Sequence, residues 1–123
     1  METKAPIKKQ YDLEDRTRAF AREVRSFVKE LPKNQANFED TKQLVRSSGS
    51  VGANYIEANE SLSKKDFLLR VRIARKEAKE SKYWLDLLDT GTVEELDHTR
   101  KKLLQEATEL MMILSAIMRK SEV

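Results

Sequence analysis

Two rows of cationic side chains at helical spacing are the part of this sequence with the clearest chemistry. In the first, Arg18, Arg22, Arg25 and Lys29 follow at intervals of four, three and four residues; in the second, Lys65, Arg72, Arg75, Lys76 and Lys79 share one sector of a helical wheel. Guanidinium and ammonium groups set out in this way can neutralise successive phosphates, which makes binding depend on salt and little on base sequence. Between Lys64 and Lys82 there are 8 basic and 3 acidic residues, so this stretch carries more positive charge than the whole chain, whose net charge is +3. One such row is more often a solvated face that keeps a protein soluble; its duplication brings nucleic acid level with that reading. Tyr83 is the only ring beside the second row, so backbone-directed binding of duplex or structured RNA or DNA is expected over single-strand readout. An acidic protein docked on the same cations is the alternative that these residues leave open.

Nothing comparable points to catalysis. His98 is the only histidine and there is no cysteine. His98 begins no metal-ligand spacing and reads as a surface residue among Glu94, Glu95 and Asp97. Glu57 and Glu60, with Glu106 and Glu109, suggest a carboxylate-bridged metal pair, but bundles of that kind use a Glu-x-x-His motif that is missing here. The Gly49-Ser50-Val51-Gly52 run matches neither a P-loop nor a dinucleotide fingerprint. The chain therefore reads as non-enzymatic, with no metal and no cofactor expected. Without cysteine, stability must come from packing, within a subunit or between subunits. No apolar run approaches the roughly 20 residues that cross a bilayer, and the opening METKAPIKKQ lacks a signal-peptide core, which predicts a cytoplasmic protein that stays out of membranes.

The elements that must position the two rows are helices. With 39% hydrophobic and 37% charged residues, 3 Gly and 2 Pro in 123 residues, the composition is that of one all-α domain. Residues 1–12 mix Lys4, Lys8 and Lys9 with Pro6 and read as a flexible basic arm. Leu13, Thr17, Phe20, Val24, Phe27, Val28 and Leu31 form one stripe, predicting a first helix over 13–31 that Pro32 ends. After a turn over 33–37, the second helix spans 39–60 and turns Leu44, Val45, Ser48, Val51, Gly52, Tyr55 and Ile56 inward. Its small-residue run over 47–53 could be a loop, since each helical Gly costs roughly 1 kcal/mol relative to Ala. A continuous helix, whose Gly49 and Gly52 admit a neighbour closely, is the preferred reading.

The third helix, over 64–88, opens with Ser63 answered by Asp66 and closes at the Asp89-Thr90-Gly91 turn. The fourth, over 93–119, opens with a Thr92/Glu95 capping box. Short connections make neighbouring helices antiparallel, giving an up-and-down four-helix bundle over 13–120. On the third helix Phe67, Val71, Ala74, Ala78, Leu85 and Leu88 form the core stripe. Leu69, Ile73, Trp84 and Leu87 lie too far round the wheel to join it and predict a subunit interface, the competing reading being a monomer that wraps both stripes.

The run Arg46-Ser47-Ser48-Gly49-Ser50-Val51-Gly52-Ala53-Asn54-Tyr55-Ile56-Glu57-Ala58, then Ser63-Lys64-Lys65-Asp66-Phe67, then Ile73-Ala74 with Glu77, Glu80 and Leu85, resembles the four-helix-bundle family encoded by intervening sequences in bacterial 23S rRNA genes. The block from Val51 to Ala58 is the most specific part, and the first and fourth helices match only in pattern. The resemblance implies an antiparallel four-helix bundle that assembles into a ring-like homopentamer. It also brings in a relative, the accessory variability protein of diversity-generating retroelements, a basic pentameric barrel that binds nucleic acid and works with a reverse transcriptase. Copies of itself, nucleic acid (ribosomal RNA included) and a reverse transcriptase are thus the partners that the resemblance implies. The sequence departs from the commoner pattern at Glu57-Ala58-Asn59-Glu60, where many members have Glu, a small residue and Gly, so Ser61-Leu62 is expected to prolong the second helix. Asn54 and Glu57 lie off the apolar stripe and are expected to tie that helix to a neighbouring helix or subunit.

Overall fold

The computed structural model describes residues 9–122, with side chains over 13–122. Four helices follow in order, α1 (Lys9–Val28), α2 (Gln35–Asn59), α3 (Lys64–Leu87) and α4 (Glu94–Glu122), with no strand among the described residues. Each packs on its sequence neighbours and α1 also meets α4, so α1 and α3 stand at opposite corners of the bundle, as do α2 and α4. The three-and-four stripes converge on a core in which Phe20, Val24, Leu44, Val51, Leu85 and Leu110 are fully buried.

Helix ends show where local chemistry overrides periodicity. Residues 9–12, read above as part of the basic arm, already belong to α1, since neither Gly nor Pro interrupts them; residues 1–8 of the arm lie outside the described residues. At the other end α1 stops at Val28 rather than Leu31. There the Glu30 and Leu31 amides donate to Phe27 O (3.0 Å) and Val28 O (3.4 Å), a tightened last turn. Pro32 is the cause, because it pushes the residue before it out of the α region. The stretch read as a turn over 33–37 holds the start of α2: the Asn34 side chain caps the helix by accepting the Asn37 amide at 2.9 Å.

At its far end α2 closes at Asn59, and Leu62 is fully exposed, so Ser61-Leu62 does not prolong it. The Ser61 hydroxyl instead donates back to Glu57 O at 3.2 Å, and Ser63 takes extended backbone to cap α3, accepting the Asp66 amide at 3.1 Å. The Thr92/Glu95 box does not form. Asp89 Oδ1 accepts the Gly91 amide at 2.8 Å and Gly91 adopts a φ of 66°, a reversal that puts Val93, not Thr92, just before α4. Three carboxylates, Glu94, Glu95 and Asp97, then complement the helix dipole in the first turn.

Two contacts lock this end of the bundle. Asn37, buried, donates from Nδ2 to Pro32 O and Asp89 O, each at 2.9 Å, and its Oδ1 accepts the Asp89 amide at 3.0 Å. One amide thus joins the α1–α2 connection to the α3–α4 turn. Arg100, held by Asp97 at 3.0 Å, donates to Leu85 O at 3.3 Å and satisfies a carbonyl in the last turn of α3.

The small-residue run is helical throughout. A Cβ placed on Gly52 would lie 2.7 Å from Thr17 Oγ1 and 3.1 Å from Thr17 Cβ, and one on Gly49 would lie 3.1 Å from Arg25 Nη2. Both glycines therefore seat α1 against α2. On the opposite flank Ser47 and Ser81 are fully buried with their hydroxyl oxygens 2.8 Å apart, which brings α2 close to α3. Ser47 and Ala58 take inward places that the sequence reading gave to Val45, which is half-buried, and to Ile56, which is exposed.

Candidate nucleic-acid interface

Each cation row lies on the outer side of its helix. Because α1 and α3 occupy opposite corners, the rows of one subunit face away from each other and cannot close on a single ligand. On α3, Lys65, Arg72, Lys76 and Lys79 are exposed and Arg75 is half-buried. Among the described residues Lys65, Arg75, Lys76, Lys79 and Lys82 make no hydrogen bond or salt bridge, and Arg72 approaches only Glu122, at 3.8 Å. From Lys65 to Lys79 this row covers about 21 Å of helix.

The α1 row is partly engaged. Arg18 pairs with Asp15 at 2.8 Å, while Arg25 lies over Gly49 and donates to Ala21 O (3.0 Å) and Val45 O (3.3 Å), so it serves the α1–α2 seam. Arg22 and Lys29 are exposed; Arg22 borders a groove between α1 and α4 that Glu23, Glu30 and Lys102 also line. The mixed signs in that groove make it a poorer phosphate site than the outer face of α3.

Other polar groups hold helices together. Arg16 makes a two-pronged contact with Glu106 (2.7 and 2.8 Å) and reaches Glu109 at 2.6 Å, stapling α1 to α4. The Glu106 hydrogen bond above all drives the Arg16 pKa higher still, and Glu109 is held below the usual carboxylate range by Gln105 and then by Arg16. These two glutamates are therefore committed to Arg16, and Glu57 and Glu60 are exposed on the diagonal helix. No group of three or more His, Cys, Asp or Glu among the described residues could hold a metal ion. On the α2–α3 seam, Arg46 contacts Glu80 and Glu77, and the Trp84 indole N–H donates to Glu80 at 3.0 Å. That indole bond, with Arg46 second, holds the Glu80 carboxyl below its ordinary range.

The four residues read as a subunit interface do not form one patch. Leu69 and Leu87 are exposed but stand about 27 Å apart along α3. Ile73 is half-buried, and Trp84 packs against the core of its own bundle. Of the motif residues, Asn54 ties α2 to α3 by accepting from Arg70 at 3.2 Å, whereas the Glu57 side chain is exposed and makes no bond among the described residues. Arg46, Ser47, Gly49, Gly52 and Asn54 thus all lie on the seams that α2 makes with α1 and α3, which gives the motif a packing role. Asn37 and Arg16 escaped the sequence reading, because nothing local marks a polar residue that bonds Asp89 or Glu106, 52 and 90 residues further on.

The same arrangement of helices occurs elsewhere. A protein of unknown function from the S23 ribosomal protein family of Bacteroides thetaiotaomicron, known from its crystal structure, is 34% identical to this chain and superposes with a TM-score of 0.74. The match covers 86% of this chain and 97% of that one. None of the curated proteins matches. The profile of the 23S rRNA-intervening sequence protein family spans residues 9–116, from the start of α1 into α4, and the chain belongs to that family.

Proposed function

We propose that this chain is a non-enzymatic bundle that assembles with copies of itself, as a pentamer, and holds RNA or DNA by its phosphates along α3. Ribosomal RNA, or the nucleic acid handled by a reverse transcriptase, is the ligand in the cell. The observation that carries this reading is the α3 row, where the exposed Lys65, Lys76 and Lys79 follow at helical spacing without hydrogen bonds or salt bridges among the described residues, and Arg72 has only Glu122 beside it, at 3.8 Å. Cations left unpaired on a rigid helix present their charge with little reorganisation on binding. Assembly adds to the effect, since several copies of one row on one body engage a polyanion together. It also supplies what a lone subunit lacks, because rows on opposite corners come to face a common ligand only through a neighbour.

Light scattering should give several times 14.3 kDa. On the same sample, fluorescence anisotropy should show random-sequence duplex DNA and structured RNA both bound at low salt, with affinity falling steeply as salt rises. Arg72→Glu with Lys76→Glu should weaken binding to every sequence by about tenfold or more and flatten the salt slope. Arg18→Glu with Arg22→Glu should do less, because Arg18 is already paired. Protein that leaves both ligands free at low salt would sink the nucleic-acid reading and favour an acidic protein on the same cations. A monomer at micromolar concentration would remove the assembly.

A further inference from the structure

We propose that Tyr83 is a stacking platform for one unpaired base beside the phosphates gripped by α3, so that the preferred ligand is a nucleic acid in which duplex adjoins an unpaired nucleotide. The inference rests on the phosphate-binding reading above and adds to it a ligand class. At 100° per residue, Lys65, Arg72, Lys76, Lys79 and Tyr83 share one outward stripe of α3. Tyr83 follows Lys79 by about one turn, roughly 6 Å along the axis. A nucleotide whose phosphate is held at Lys79 therefore has the Tyr83 ring as its neighbour along the stripe.

The ring is both open and fixed. Tyr83 is 58% exposed, yet it meets Trp84 with centroids 5.0 Å apart and planes at 72°. Trp84 is held in turn by its bond to Glu80, and Glu80 by Arg46 of α2. An edge-to-face contact leaves at least one face of the tyrosine for a further partner, and stacking on a base needs only a face. A ring already held in place loses little rotamer freedom when a base arrives. The nearby Glu80 carboxylate, engaged by Arg46 and Trp84, is screened from an approaching phosphate.

The test uses the full chain, an RNA hairpin and a DNA hairpin carrying 2-aminopurine in the loop, and a blunt duplex of the same stem. Wild type should bind a hairpin more tightly than the duplex and change the fluorescence of the loop base. Tyr83→Ala should cost about tenfold in hairpin affinity, down to the duplex value, while leaving duplex affinity, salt slope, mass and helical circular dichroism unchanged. Tyr83→Trp should keep the preference. A response with only one hairpin assigns the ligand to RNA or to DNA. The platform is overturned if wild type binds hairpin and duplex alike, if Tyr83→Ala keeps the preference, or if that variant changes the mass, which would place the ring against a second copy. Should wild type bind none of the three, the phosphate-binding reading itself fails.

Discussion

Gly52→Leu is expected to lower the stability of the bundle by about 3 kcal/mol, at the upper end of the usual overpacking cost. Any side chain at this position starts with a Cβ 2.7 Å from Thr17 Oγ1 and 3.1 Å from Thr17 Cβ. Thr17 cannot swing aside cheaply: it is buried, β-branched, and its hydroxyl donates to Glu14 O at 3.0 Å. Relief must therefore come from moving α1 as a body. Gly52→Ala isolates the first carbon of that clash. Ala gains roughly 1 kcal/mol of helix propensity, so an Ala variant no more stable than the parent already reveals the strain. Adding Thr17→Ala removes the oxygen nearest the new carbon and should recover part of the loss. Urea unfolding followed by circular dichroism reads all three, and a Leu variant with the parent's midpoint would mean that α1 does not pack on Gly52.

Asn37→Leu should be comparably damaging, again by about 3 kcal/mol, for a different reason. The native amide satisfies Pro32 O, Asp89 O and the Asp89 amide at once, in a place where Asn37 itself is 3% exposed. An apolar side chain leaves those three groups to whatever water can reach them, and an unsatisfied buried group costs about 1–3 kcal/mol. Asn37→Asp adds a sign that Leu cannot. At neutral pH its carboxylate still accepts the Asp89 amide but faces two carbonyl oxygens, so the new acid titrates higher in the folded state than in the unfolded one. Protonation then returns one donor, and the loss should shrink as the pH falls from 7 toward 5. Equal midpoints for Asn37→Leu and the parent would show that the two connections do not depend on this amide.

What the sequence disclosed follows from how far each signal reaches along the chain. The core of α1 and the buried residues Val71, Ala74, Ala78 and Leu85 of α3 were legible, because a stripe on one helix is written in consecutive turns. So was the Ser63 cap, whose partner is three residues away. The Asn34 cap was not, since a cluster of Asn and Gln reads equally well as a turn. Trp84 packs on the core for a geometric reason that one stripe does not reveal: α3 packs on both α2 and α4, so its buried arc is wider than a single stripe. For the candidate site, the positions of the cations were legible and their availability was not. Whether Arg25 meets solvent or the backbone of α2 depends on Gly49, 24 residues on, and on which helix lies alongside.

The way the four helices meet also sets the entropy of making the fold. All the broad seams lie between helices consecutive in the chain, and only the narrow α1–α4 seam joins its two ends. Each broad seam closes with a connection of a few residues, so little configurational freedom is surrendered before contacts form, which is the low-contact-order regime of fast-folding helical domains. Docking α1 on α4 is the one step that must gather distant chain. It brings the Arg16 staple to partners 90 and 93 residues away, and that long closure gains the least packing in return.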